Sequence, residues 1–418
     1  MRIENKELKE IIDLWDLKKD VKKKIFKILD ENQCLSPTHL FRYYVPSGKK
    51  DKVGEFEREF SKKFGVKYSL AVNSGTSALI SALIACGIGP GDEVIIPGYT
   101  FFATCSAVLV AKAIPVIAEI DETLTIDPFD IEKKITKHTK AIMPVHMRGL
   151  PSNMEKIMDI AKRYNLKVIE DCAQADGGSY KGKRLGTFGD AGCFSFDFYK
   201  IINTGEGGMV VTNDEKIYIR AQSWHDTAAC WRPNRYERER MPGEIFYGEN
   251  YRMGQINAAI GLAQLKKLDN YLNKLRKNKK KLIEYLGDVR RVKYSPLNDP
   301  EGDCATNLVF LTEKAEEAKN LMENLQKEKV PAGGIYDKNI RDWHIYKYWE
   351  HIIEKKTPTE EGCPFTCPYY KGKLPAYSED MCQKTLDILS RVVVIGISED
   401  WKDKDIKEIA GKIRKYTN

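Results

Sequence analysis

Phe194-Ser-Phe-Asp-Phe-Tyr-Lys-Ile-Ile-Asn-Thr-Gly-Glu-Gly-Gly-Met-Val-Val-Thr212 sets one lysine, Lys200, between two apolar strand-like runs and beside a cluster of glycines. Flanking Phe196, Phe198, Tyr199, Ile201 and Ile202 are expected to desolvate that amine in part, which favours its neutral, nucleophilic form and suits attack on a carbonyl. The bland alternative is a lysine that snorkels from a buried strand to water. Which of the two holds depends on what the rest of the chain places around it.

Outward from this stretch, short apolar runs alternate with segments of helical length. Residues 53–64 and 76–87 read as helices, while 68–72, 93–97, 115–120, 140–145, 167–170, 192–196 and 207–212 read as strands. Strands this apolar, separated by helices, imply an α/β fold with a mainly parallel seven-stranded sheet covered on both faces. Residues 5–31 carry Ile11, Ile12, Leu14, Leu17, Val21, Ile25, Phe26 and Leu29 at helical spacing, which predicts one N-terminal amphipathic helix. A helical pattern from Gln255 to Leu286 leads into a lysine-rich region with fewer strand signals. The expected division is an arm at 1–45, a large domain at 46–262 and a smaller α/β domain at 263–418.

Composition narrows the class. The 418 residues are 42% hydrophobic and 31% charged, with a net charge of +8. There is no run of about 18 apolar residues and no signal-peptide core at the start, so a cytoplasmic protein is expected, without membrane partners. The basic run Lys274 to Lys281 falls in a helical segment and reads as a solvated face. Nucleic acid is not an expected partner, because no aromatic interleaving or reading motif accompanies the charge. Ten scattered cysteines (34, 86, 105, 172, 193, 230, 304, 363, 367, 382) include one close pair, Cys363 and Cys367, with no second pair or histidines at ligand spacing. Neither a metal site nor a disulfide framework is expected.

Asn73-Ser74-Gly75-Thr76-Ser77-Ala78-Leu79 follows a short apolar strand and opens a helix. Such a junction points free N–H groups and a positive helix end at an anion, and Gly75 permits close approach. Read alone it is also an ordinary N-cap. Lys167-Val-Ile-Glu-Asp171 ends an apolar strand with carboxylates, at the edge of an open sheet where ligands sit. Asp171 there is either a helix cap or an acid that keeps a pyridine nitrogen protonated. Combined with a nucleophilic lysine, the second reading is the setting that pyridoxal 5'-phosphate (PLP) requires. Gln174 is placed to donate to that ring's phenolic oxygen. Gly205-Glu-Gly-Gly208 precedes a strand and lacks the spacing of a dinucleotide fingerprint, which disfavours NAD.

The order of these motifs resembles the fold-type I PLP enzymes, and specifically the DegT/DnrJ/EryC1/StrS family of sugar aminotransferases. The likeness covers most of residues 50–270 and is carried by AVNSGTSAL, GPGDEVIIPGYTFFAT, IEDCAQADGG, FGDAGCFSFDFYK, TGEGGMVVTND and GENYRMGQINAAIGLAQLKKLD. The resemblance implies Lys200 as the Schiff-base lysine, Asp171 as the pyridinium partner, Gln174 at the phenolic oxygen and Ala173 beneath the ring. It implies that Phe101 stacks on the cofactor and that Ser74, Gly75, Thr76 and Ser195 hold its phosphate. Asn250 matches an asparagine that family members donate from a neighbouring subunit, so a homodimer with shared sites is implied. The implied reaction moves an amino group from glutamate or glutamine to a keto sugar or keto-cyclitol, nucleotide-linked or acidic, in amino-sugar and polysaccharide biosynthesis.

The chain departs from the family pattern in three places. Cys172 stands where alanine is frequent, and Asp197-Phe198-Tyr199 before the lysine alters the wall where Tyr199 would face substrate. His146-Met147-Arg148-Gly149 introduces Arg148, which is expected either to meet a carboxylate or phosphate on the acceptor or to form a surface salt bridge. Cys363-Pro-Phe-Thr-Cys-Pro-Tyr-Tyr370 is similar to members acting on keto-inositols or keto-octulosonates. Two rival functions share the fold: a pyridoxamine-phosphate-dependent sugar dehydratase, in which histidine replaces the lysine, and a non-catalytic regulator. Lys200 stands against the first, and the full set of cofactor contacts against the second.

Overall fold

The structure, a computed structural model, describes residues 3–32, 38–43, 48–228 and 238–418. Cys34, Cys230 and parts of the expected arm lie outside the described residues.

Seven strands form the central sheet in the spatial order Tyr68–Val72, Gly208–Thr212, Ala191–Ser195, Lys167–Asp171, Thr139–Ile142, Glu93–Pro97 and Ile114–Ala118. Gly208–Thr212 runs antiparallel to both its neighbours, and the remaining pairings are parallel. The apolar runs in the sequence locate all seven, two of them with both ends as expected and the others with ends displaced by at most three residues. The 140–145 run stops early as a strand because Pro144 has no N–H to give, although its carbonyl still accepts from the Asp171 amide.

Pleating explains why these strands are apolar on both sides. Ala71, Ile95, Val168, Phe194 and Met209 point into one cluster, while their neighbours Val72, Ile96, Ile169, Cys193 and Val210 point into the other. Helix Lys52–Phe64 covers the first face with Phe56, Phe60 and Phe64. The Phe60 and Phe64 rings are stacked 4.1 Å apart, and Phe194 meets Phe60 edge-on at 5.1 Å. Helix Gly75–Ala85 covers the second face and is apolar almost all round, as a helix buried between a sheet and other helices must be.

Helix Gln255–Leu286 joins this unit to a four-stranded antiparallel sheet in the order Lys293–Tyr294, Asn307–Leu311, Val392–Gly396, Ala332–Gly334. Its Leu265, Leu268 and Leu272 belong to the core of the large sheet, and its Leu282 and Leu286 to the core of the second. Position 262/263 therefore falls inside a continuous helix. Tyr346, Trp349, Ile352 and Tyr370, although late in the chain, pack in the large-sheet core.

Two sequence expectations need correction. The single helix expected over 5–31 is two helices, Asn5–Asp13 and Lys19–Glu31, folded back on each other. Asn5 donates to the carbonyls of Leu29 and Asn32, and Lys9–Asp30 and Lys22–Asp13 pairs tie the hairpin. Continuous apolar spacing cannot distinguish one long helix from two short ones that share a seam. Within the lysine run, Asn278 and Lys279 are buried, with Lys279 paired to Asp303 and Asn278 donating to the Ser398 carbonyl. Lys274, Lys277 and Lys280 are exposed, so the run is a solvated face except at Asn278 and Lys279, which contact later segments of the chain.

Candidate active site

The site lies where the parallel strands end. Asp171 is the last residue of its strand, Ser195 the last of the adjacent strand, and Ser74 the cap of the helix that follows Tyr68–Val72. A cavity of about 750 Å³ opens beyond these ends, lined among others by Phe101, Arg148, Gln174, Asp197, Tyr199, Lys200, Thr306 and Asn307. The large sheet and the second sheet both contribute to it, since Asn307 opens a strand of the latter.

Lys200 sits in the turn between Ala191–Ser195 and Gly208–Thr212, and its amide donates to the Asp197 carbonyl at 3.1 Å. Its ammonium lies 3.6 Å from an Asp197 oxygen, with the side chain 15% exposed. The apolar surroundings expected for it are only partly present. Phe196 and Ile202 are buried, but Phe198 and Tyr199 are 69% and 88% exposed. Adjacent residues in a turn project in different directions, so apolar character along the chain did not become apolar packing around the amine. The snorkelling alternative is not what is observed, because Nζ faces the cavity wall of Asp197.

Asp171 is buried, and its oxygens accept from Thr104 Oγ1 at 2.8 Å and from the Ala173 amide at 3.0 Å. No helix follows it, so the helix-cap reading fails. Burial holds its carboxyl above the usual carboxylate range, against those two donors and the more distant charge of Lys200. Among the described residues no cation lies within ion-pairing distance of it. A buried acid that lacks only a positive partner is suited to a protonated ring nitrogen, and this is the observation on which the fit of PLP rests.

The phosphate end fits as well. Ser74 Oγ accepts from the Ser77 amide at 3.1 Å, leaving the Gly75 and Thr76 amides of the first turn free for an anion. The hydroxyls of Thr76 and Ser195 make no hydrogen bond to the described protein. A Cβ at Gly75 would lie 2.5 Å from Ser195 Cβ and 3.2 Å from its Cα, so only glycine lets helix and strand end approach this closely. Gly75→Ala is therefore expected to push them apart and weaken PLP binding by about tenfold, measured by titrating the apoprotein with PLP.

Gln174 Oε1 accepts from the Arg148 amide at 2.9 Å, which leaves its NH2 group free. Ala173 is half-buried beside Asp171, and Phe101 is half-exposed, its ring 5.2 Å from that of His344. Asn250 is exposed, forms a bridge with Asp226 and is not among the residues lining the cavity of its own chain. The neighbouring Tyr251 carbonyl accepts from Asn73 at 2.8 Å, which puts this segment next to the phosphate turn. Among the described residues Arg148 makes no salt bridge. Its Nε donates to the buried Tyr99 hydroxyl at 2.7 Å.

Sequence reading missed Thr104, Tyr99, Thr306, Asn307, Asp342 and His344. Thr104 stands in the quoted Gly-Tyr-Thr-Phe-Phe-Ala-Thr stretch, but only folding shows that its hydroxyl meets Asp171.

One buried cluster outside the cavity, His146, Glu170 and Cys172, brings its ligating atoms within 4.8 Å of one another. Both imidazole nitrogens are already engaged: Nδ1 accepts from the Ser152 amide at 3.1 Å, so Nε2 carries the proton and donates to Glu170 at 3.2 Å. Glu170 also accepts from the amides of Gly186, Phe188 and Gly189. The cluster is a structural knot under the Asp171 strand end. Glu170→Gln would turn an NH2 toward those donors and is expected to cost about 3 kcal/mol of stability, read as a lower denaturant midpoint at unchanged slope.

Fold and site together are those of a fold-type I PLP-dependent enzyme. The solved structure of 3-amino-5-hydroxybenzoic acid synthase superposes with a TM-score of 0.70 at 28% identity, covering 88% of this chain and 91% of that one. The chain belongs to the DegT/DnrJ/EryC1/StrS aminotransferase family, whose model matches residues 47–367. It is a PLP-dependent aminotransferase. Among its relatives, GDP-perosamine synthase of Escherichia coli O157:H7 is 38% identical, over 77% of this chain and 85% of the relative. The spore coat polysaccharide biosynthesis protein SpsC of Bacillus subtilis (strain 168) is 35% identical over 82% and 90%. L-glutamine:2-deoxy-scyllo-inosose aminotransferase of Streptomyces kanamyceticus is 37% identical over 53% and 52%.

Proposed function

We propose that the protein transfers an amino group from glutamate or glutamine to a keto sugar or keto-cyclitol, with Lys200 and Asp171 as the residues that make the chemistry work. The observation that carries this reading is a lysine lining a cavity and, within electrostatic reach of it, a buried carboxylate that pairs with no cation among the described residues. Two of the relatives named above, the GDP-perosamine synthase and the scyllo-inosose aminotransferase, support the substrate class.

In this reading Ser74, Gly75, Thr76 and Ser195 hold the phosphate through free amides and hydroxyls at a helix N-terminus. Asp171, fixed by Thr104 and the Ala173 amide, holds a proton on the ring nitrogen. Gln174 donates to the phenolic oxygen, Phe101 stacks on one face and Ala173 packs against the other. When bound, PLP supplies an electron sink for the pair released at the donor's α-carbon. Lys200 Nζ would hold PLP covalently and, when free, would serve as the general base that takes the donor's α-proton and gives a proton back. Asp197, 3.6 Å away, stabilises Nζ while it carries that proton. A histidine at this position would serve the dehydratase, whereas a lysine returns the cofactor to its starting state after each amino transfer.

Cytoplasmic location, a division into 1–45, 46–262 and 263–418, and a homodimer with shared sites belong to the same reading. Asn250, exposed beside the phosphate turn, supports the last, as a group presented to another subunit's site. Tyr199, exposed at the cavity rim, contacts substrate. The reading is tested on purified protein: it should be yellow, glutamate or glutamine should bleach it, and a keto sugar should restore the colour with formation of its amine. A colourless protein that takes up no PLP would refute it.

A further inference from the structure

Among the cavity's charged residues, most are paired within it. Lys200 faces Asp197, and His344 Nδ1 lies 2.7 Å from Asp342. Arg148 forms no ion pair with a described residue, and Asp342, the carboxylate that feels its charge, is already bonded to His344. The Arg148 backbone is held on three sides, by Gln174 on the amide, by Thr306 on the carbonyl at 3.0 Å and by a left-handed φ of 57°. Strain of this kind at a non-glycine residue persists where surroundings over-determine it, and it aims the side chain. Nε is spent on Tyr99, so the fork is fixed in direction while both terminal nitrogens remain without a hydrogen bond to the described protein.

From this juxtaposition, and resting on the aminotransferase reading above, we infer that Arg148 binds a carboxylate on the acceptor, which makes the acceptor a keto sugar acid. A planar guanidinium with two free donors matches a carboxylate bidentately. A phosphate dianion or diphosphate would call for more positive charge than the lining offers, since its Arg148 and Lys200 share the cavity with three carboxylates, Asp197, Glu206 and Asp342. The other source of a carboxylate is the donor, and the glutamate arm of the experiment below distinguishes it from the acceptor.

The experiment has two arms on the PLP-loaded enzyme. In the first, calorimetry compares D-glucuronate and D-gluconate with D-glucuronamide and D-gluconamide. The acids should bind wild type about 30-fold more tightly than the amides, and Arg148→Gln should erase that preference. Tyr99→Phe, which leaves the charge but frees the fork, should reduce it. In the second arm, the rate at which glutamate bleaches the enzyme should change less than about threefold in Arg148→Gln. Equal binding of acid and amide to wild type, or a preference that survives Arg148→Gln, would overturn the assignment. So would a large loss in the glutamate arm with sugar-acid binding intact, because the carboxylate would then be the donor's. A wild-type protein that binds no PLP would instead sink the underlying reading, and glucuronate against glucuronamide binding to that apoprotein would still report on Arg148.

Discussion

Lys200→Ala is expected to abolish amino transfer, lowering turnover at least ~10⁴-fold. Two functions disappear with one amine. In the proposed mechanism Nζ would both anchor the cofactor and serve as the base; of the groups around it, Asp197 is the side chain paired with it and Asp171 is buried. The variant should still bind PLP through the phosphate turn, so the expected signature is retained cofactor without the visible absorption of a lysine-bound form. Methylamine or ethylamine, acting as a diffusible base, should restore a measurable part of the rate. A variant that turned over a keto sugar at the wild-type rate would remove Lys200 from the mechanism.

Asp171→Asn should follow closely, with a loss of roughly 10²–10³-fold. The side chain keeps its size, so the hydrogen bonds with Thr104 and Ala173 can be largely kept while the negative charge is lost. Without that charge the ring nitrogen is not held protonated and the electron pair released at the donor's α-carbon is poorly stabilised. Because burial already pushes the Asp171 carboxyl upward, its charge in the empty site is costly and is recovered when a cation arrives opposite it. Asp171→Asn should therefore also weaken PLP binding while raising the stability of the apoprotein. A purely structural role would show the reverse, lower apoprotein stability with the activity per bound cofactor unchanged.

Much of this arrangement was legible in the sequence, and for identifiable reasons. The seven strands of the large sheet are buried on both faces, so each appears as an apolar run that needs no partner to be recognised. Ser74-Gly75-Thr76 and Asp171 are local signals, a helix start and a strand end, and the fold brings both to the carboxyl edge of the sheet. What was not legible depends on contacts between distant segments. Thr104 reaches Asp171 across 67 positions, and Asn307, His344 and Asp342 arrive from the later part of the chain. Local pattern also misled in the turn at Lys200, where Phe198 and Tyr199 look like packing but face solvent. Lys279 looked solvated because its partner, Asp303, is 24 positions away.

The account stands on the covalent attachment at Lys200, which can be read directly. Borohydride added to the PLP-loaded protein reduces a carbon–nitrogen double bond to a stable amine, and peptide mass mapping then locates the label. A phosphopyridoxyl group on the peptide containing Lys200, absent from Lys200→Ala, is the result predicted. The same group on a different lysine, or no label on a protein that has taken up PLP, would contradict it.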